Sequence, residues 1–173
     1  MTFLETEIKG CYKITYDKNE DSRGDFSRLL CRKDLLSLDI DFIVKQSSIA
    51  NNKKKGTARG LHHQEEPHGE NKLITCTSGA ISLFVHELAY PNRTLTMELD
   101  ARKSSINVVY VPRSCASGYI TLLDNSQVLY YMDEYYYPDS QKIIPLSVAD
   151  NDLGIDLDNT IMSKKDSKYR TKK

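Results

Sequence analysis

Residues 72–88, KLITCTSGAISLFVHEL, decide the fold class: two runs rich in Ile, Leu, Val, Thr and Phe meet at Ser78-Gly79. Each run is too short for a buried helix and Ser-Gly is a turn dipeptide, so the stretch reads as two strands joined by a tight turn. The texture continues in INVVYVP (106–112), GYITLL (118–123) and QVLYYMDEYYY (127–137). Pro91-Asn92-Arg93, Pro112-Arg113-Ser114 and Asp124-Asn125-Ser126 break the runs. Many short strands at this spacing indicate an all-β sandwich or barrel. Leucines at helical spacing occur in CRKDLLSLDIDF (31–42), predicted as one short helix.

The chain has 173 residues, one ordinary domain with material for a core. Lys+Arg and Asp+Glu are both 24, so there is no net field to draw in nucleic acid or an anionic membrane, and neither is expected as a partner. Lys53, Lys54 and Lys55, within the polar SIANNKKKGTARG, read as a solvated loop, because no aromatic residues interleave with them. Cys11, Cys31, Cys76 and Cys115 lie far apart without CxxC spacing, as reduced thiols of a cytoplasmic protein do. MTFLETEIKG has neither the basic start nor the apolar stretch of a signal peptide, and no run approaches the roughly 18–20 apolar residues of a membrane span. A soluble, cytoplasmic location is expected. The domain is predicted over residues 1–160. Residues 161–173, ending SKKDSKYRTKK, read as a charged, flexible tail.

Chemistry concentrates in RGLHHQEEPHGENKL, Arg59 to Leu73. A metal site on a β-barrel needs ligands on one face, but His62 and His63 are adjacent, and adjacent side chains on a strand point to opposite faces. Metal-free acid–base work is the alternative. A histidine near its unperturbed pKa can remove a proton beside a ketone, and a cation such as Lys72 can stabilise the resulting enolate. On these residues alone, a buried structural histidine is the favoured reading of His62.

Taken as a series, the motifs resemble the dTDP-4-dehydrorhamnose 3,5-epimerase family. They are Asp21-Ser-Arg23-Gly24-Asp-Phe26, Gln46-Ser-Ser, Gly56-Thr-Ala-Arg59-Gly60-Leu61-His62-His-Gln64 and Lys72-Leu73 through Gly79. Val111-Pro112, Ala116-Ser-Gly118-Tyr119, Val128-Leu-Tyr130, Tyr135-Tyr136-Tyr-Pro138 and Asp150 through Ile155 complete the series. The resemblance implies a cupin-type double-sheet β-barrel (a jelly roll) with one or two short helices, and neither metal nor cofactor. It implies epimerisation of a 4-keto-6-deoxy sugar at C3 and/or C5, on a nucleotide that is dTDP by likeness, for surface polysaccharide such as lipopolysaccharide. His62 resembles the base, Asp150 its carboxylate partner, Tyr130 the phenol that reprotonates the opposite face, and Lys72 the lysine near the enolate oxygen. Arg59 resembles the diphosphate-binding arginine, and Tyr136 with Tyr135 the ring that stacks on the nucleotide base. Arg23, Phe26 and Gln46 fall among nucleotide and sugar contacts. A homodimer with exchanged N-terminal strands is implied as well.

The chain departs from the family where G-F-A-H-G-F becomes Ser114-Cys115-Ala116-Ser117-Gly118-Tyr119, with Ser117 in place of a histidine close to the sugar diphosphate. In the strand written D-V-A-V-D-x-R, an acidic side chain facing the site becomes Leu83 and the final Arg becomes Ala89. Base, carboxylate and phenol are retained while polarity around them changes. A different 4-keto sugar, or inversion at C3 alone, is therefore expected. The competing readings are a nucleotide-sugar 3,4-ketoisomerase, a non-catalytic nucleotide-sugar-binding relative and a metal-dependent oxygenase.

Overall fold

Short β-branched runs with apolar residues on both faces need a sheet that is covered twice, and the computed structural model provides two such sheets. It describes residues 2–90, 92–149 and 159–169. The elements are β1 (Thr2–Glu5), β2 (Tyr12–Asp21), β3 (Gly24–Ser27), α1 (Arg32–Leu36), β4 (Gln46–Asn52), β5 (Ala58–Gln64) and β6 (Lys72–Ser78). Then follow β7 (Ala80–Glu87), β8 (Thr94–Asp100), β9 (Ser105–Val111), β10 (Cys115–Thr121), β11 (Ser126–Met132) and β12 (Gln141–Ile143). One sheet has seven strands, ordered β1-β2-β9-β6-β11-β4 with β3 on β2; the other has five, ordered β12-β5-β10-β7-β8. Every ladder between named strands is antiparallel. This is the expected all-β, double-sheet barrel with a single short α-helix among the described residues.

The interior between the sheets is filled by Ile74, Cys76, Leu83, Val85, Val109, Tyr119 and Val128, each at most 2% exposed. Leu35 of α1 and Phe42 cover the outer face of the larger sheet, packing with Ile14, Leu73, Val108 and Tyr110. Leu146 covers the outer face of the smaller sheet, over Ala58, Leu61, Phe84 and Ala116. Burial pushes the thiols of Cys11 up to about 12 and of Cys76 and Cys115 up to about 11, which leaves them protonated and inert.

Three segments differ from the expectations above. Gln46–Asn52, part of it read as polar loop, is edge strand β4, whose outward residues face solvent and so carry no apolar signal. The Tyr-rich run stops being a strand at Met132, because Asp133 receives Asn71 N and Nδ2 at 2.7 and 2.6 Å and pins the exit. Tyr135, Tyr136 and Tyr137 therefore lie beyond the ladder. The charged tail is folded down as far as Tyr169. Ile161 bridges Thr57, with Ala58 N to Ile161 O and Ile161 N to Gly56 O both at 2.8 Å, and Asp166 is buried.

The β5–β10 ladder carries a bulge. Ser117 pairs with His62 and Tyr119 with Arg59, so two steps on β10 span three on β5. The extra residue restores Arg59 and His62 to the same face, although residues three apart on a regular strand point opposite ways. Gly60 makes this possible: its φ is +108°, and a Cβ there would lie 2.7 Å from both Gly118 Cα and Ser117 O. Gly60→Ala is expected to cost at least about 2 kcal/mol by urea denaturation, from strain at positive φ plus backbone overlap. A variant as stable as the parent would show that the two backbones are not held this close.

Candidate active site

A cavity of about 550 Å³ opens between the sheets, within the range of small-ligand sites. The larger sheet contributes Gln46, Ser48 and Ala50 from β4, Lys72 and Ile74 from β6, and Tyr130 and Met132 from β11. The smaller sheet contributes Arg59 and His62 from β5, Leu83 from β7, Ser117 and Tyr119 from β10, and Gln141 from β12. Glu70, Tyr136, Ser163, Lys165 and Asp166 complete the wall. His62 and Tyr130 thus face one space from opposite sheets.

His62 Nε2 lies 2.8 Å from Asp166 Oδ1, with the carboxylate 7% and the imidazole 29% exposed. An ionised carboxylate can only accept, so Nε2 carries the proton and Nδ1 is left with the free lone pair. Burial pushes the Asp166 carboxyl up, but the hydrogen bond and charge of His62, with help from Ser163 and Lys165, more than offset this and hold it below its ordinary value. Asp150, which the resemblance pairs with His62, lies outside the described residues. The signal for Asp166 was a lone acid in an otherwise basic tail, and Ser163 Oγ, three residues before it, accepts from its backbone N–H at 3.0 Å. His63 faces away from the cavity, as strand alternation requires, and burial lowers its pKa.

Burial raises the Tyr130 phenol well above its ordinary value and neighbouring Tyr119 adds to the rise, while the Arg59 charge opposes it. Tyr130 therefore keeps its proton at neutral pH. Lys72, 9% exposed, donates to His62 O at 3.2 Å and pairs with Glu70 at 3.0 Å. Arg59 Nε donates to Asn52 Oδ1 at 2.9 Å. Gln64 ties down the tyrosine segment, donating to Tyr135 O at 2.9 Å and accepting from Tyr137 N at 2.6 Å. Tyr136 closes the rim, its hydroxyl 3.0 Å from Gln141 Oε1, which Lys165 also contacts, and its N–H 3.0 Å from Gln46 Oε1.

The structure therefore brings together His62, Tyr130, Lys72, Arg59, Gln46, Ser117 and Tyr136. Tyr135 does not line the cavity; it is exposed, with Lys45 5.6 Å above its ring. Arg23 and Phe26 stand on the β2–β3 hairpin, away from the cavity, and Phe26 is 76% exposed. Sequence reasoning missed Asp166, Lys165 and Glu70. No group of three His, Cys, Asp or Glu side chains converges as a metal site among the described residues. Nor is any helix among them long and apolar enough to cross a membrane.

The family model described as dTDP-4-dehydrorhamnose 3,5-epimerase matches residues 5–173. The dTDP-4-dehydrorhamnose 3,5-epimerase of Methanothermobacter thermautotrophicus is 28% identical over 180 residues, covering 97% of this chain and 92% of that protein. The crystal structure of the Bacillus anthracis enzyme of that name, with TDP and PPi bound, superposes with a TM-score of 0.86 at 27% identity, covering 95% of each chain. That of the Elizabethkingia anophelis enzyme does so at 0.85 and 28%, covering 96% of this chain and 93% of the other.

Asp166→Asn is expected to destabilise the protein by about 1–3 kcal/mol at neutral pH, since a buried donor loses a charged acceptor. The depressed folded-state pKa sets the sign: this stability is fully present above the unfolded carboxylate value of roughly 3.9 and is lost as pH falls through the folded value. Urea melts of both proteins should therefore show a gap that narrows below about pH 4. A gap constant from neutral to acid pH would contradict an ionised Asp166 on His62.

Proposed function

The chain belongs to the dTDP-4-dehydrorhamnose 3,5-epimerase family, and on that premise we propose that it inverts carbons beside the ketone of a dTDP-linked 4-keto-6-deoxy sugar. The observation that carries this reading is the placement of His62 and Tyr130 on opposing sheets around one cavity. Inverting a carbon requires a base on one face of the ring and an acid on the other.

The ketone at C4 acidifies the hydrogens on C3 and C5. His62, with Nε2–H held by Asp166, takes one of these protons on its free nitrogen, and the carboxylate steadies the imidazolium that forms. The electron pair moves onto the C4 oxygen, where the largely buried Lys72 supplies positive charge. Tyr130, kept protonated by burial, returns a proton from the other face. Arg59 and Lys165 are the remaining cations of the lining and suit the diphosphate. Tyr136, at the rim and bonded through its backbone N–H to Gln46, supports stacking on the base.

Leu83, fully buried, and Ser117 remove polar groups from the wall around the sugar, which favours inversion at one carbon or a less hydroxylated sugar. Exposed Arg23 and Phe26 fit a homodimer in which the N-terminal hairpin of one subunit completes the site of its partner.

The test is an NMR time course in D2O with dTDP-4-keto-6-deoxyglucose and its relatives. Deuterium should enter the carbons beside the ketone and inverted product should accumulate. His62→Ala should lower both by about 100-fold or more while nucleotide affinity stays close to that of the parent. Tyr130→Phe should keep exchange but lose inversion. If no 4-keto nucleotide sugar takes up deuterium, the activity is wrong; if the product is a 3-keto sugar, the protein is a ketoisomerase.

A further inference from the structure

Asn52 lies in the stretch that the sequence presents as a polar loop, and it takes no part in the proposed reaction. It ends β4 of the larger sheet, is 3% exposed and does not line the cavity. Its amide nitrogen donates to Ser126 O at 3.0 Å and to Ala50 O at 3.2 Å. Its amide oxygen accepts from Arg59 Nε at 2.9 Å and from the Tyr119 hydroxyl at 3.2 Å. These bonds use every donor and acceptor position of the group. The amide cannot be reversed: turned over, its oxygen would meet two carbonyls and its NH2 would meet the Arg59 N–H, which only donates.

The four bonds join the two sheets. Ala50 and Ser126 belong to β4 and β11 of the larger one, Arg59 and Tyr119 to β5 and β10 of the smaller. Arg59, unlike its anchor, is exposed at the cavity wall. A long exposed side chain samples many rotamers unless something holds it. The bond to Asn52 occupies Nε and leaves the terminal nitrogens, a pair suited to two phosphate oxygens side by side.

We propose that Asn52 is a positioning residue for the nucleotide diphosphate, holding the Arg59 guanidinium in its binding orientation before the ligand arrives. This rests on the reading of Arg59 as a cation for the diphosphate. With all its positions engaged, Asn52 has nothing left to offer a ligand, so it acts through Arg59. Its own place is set by two backbone carbonyls of the larger sheet, so the guanidinium follows the anchor. Rotamer freedom that Arg59 would otherwise lose on gripping the ligand is already lost in the fold. An amide oxygen is also a neutral acceptor. It orients the guanidinium without cancelling the charge that the diphosphate needs, as a carboxylate would.

Calorimetric titration of dTDP into the parent, Asn52→Ala, Arg59→Ala and the double variant measures the coupling. Asn52→Ala should weaken dTDP binding about 3- to 10-fold, the cost of ordering one long side chain on binding. In the Arg59→Ala background the same change should have no effect, because nothing is left to hold. A merely structural role would act in both backgrounds, so equal losses in the two overturn the inference, as does no loss in either. A second measurement needs no change at Asn52. In the isotope-labelled parent, the NMR signal of the Arg59 Nε–H, identified by its absence from Arg59→Ala, should exchange slowly with water before dTDP is added. Exchange as fast as that of a free arginine overturns the inference even if Asn52→Ala fails to fold. A parent protein that does not bind dTDP overturns the nucleotide reading of the site, and this inference with it; additive losses in a parent that does bind overturn the role of Asn52 alone.

Discussion

Two backbones can approach as closely as β5 and β10 do only where neither carries a side chain at the crossing, and Gly60 against Gly118 is that point. The bulge it permits turns an odd spacing into a shared direction, so that Arg59 and His62 both face the cavity while Ala58 and Leu61 face the outer core. A regular strand would have sent the guanidinium and the imidazole to opposite sides of the sheet. The site is thus built on one local backbone irregularity held by an otherwise regular ladder, a common use of bulges beside functional sites.

The two sheets then divide the labour. The smaller one carries the imidazole and the larger one the phenol and the ammonium, and a double-sheet barrel is the arrangement that keeps such groups on opposite sides of a ligand. Tyr130, packed against the interior, holds its proton, whereas His62 is partly exposed and hydrogen-bonded to the Asp166 carboxylate. The same interior that raises the phenol would penalise its anion.

Neighbouring positions tell a different story. Leu83 and Ser117 leave the cavity wall less polar than the resembled pattern, while His62, Tyr130 and Lys72 are present in it. On the proposed function, such changes alter which sugar fits more than whether a proton moves. Glu70 beside Lys72 makes the lysine part of an ion pair with little exposure, so its charge is fixed in place before substrate arrives.

Short apolar runs broken by turn residues determined the all-β class, because runs of this length are too short for buried helices and bury both faces only in covered sheets. Likeness of the motif series to the family singled out His62, Lys72, Arg59 and Tyr130, which the structure gathers around one cavity. Three things were decided by tertiary structure alone. The tail folds back to set Asp166 against His62, a contact 104 residues apart in the chain that no periodicity encodes. The bulge at Gly60 reverses the face on which three-residue spacing would place a side chain. The Asn52–Tyr119 contact joins two strands of different sheets, and only packing says which polar atoms meet. A chain states which side chains are available, and alternation states which way most of them point. Which distant ones touch depends on how the sheets close over one another.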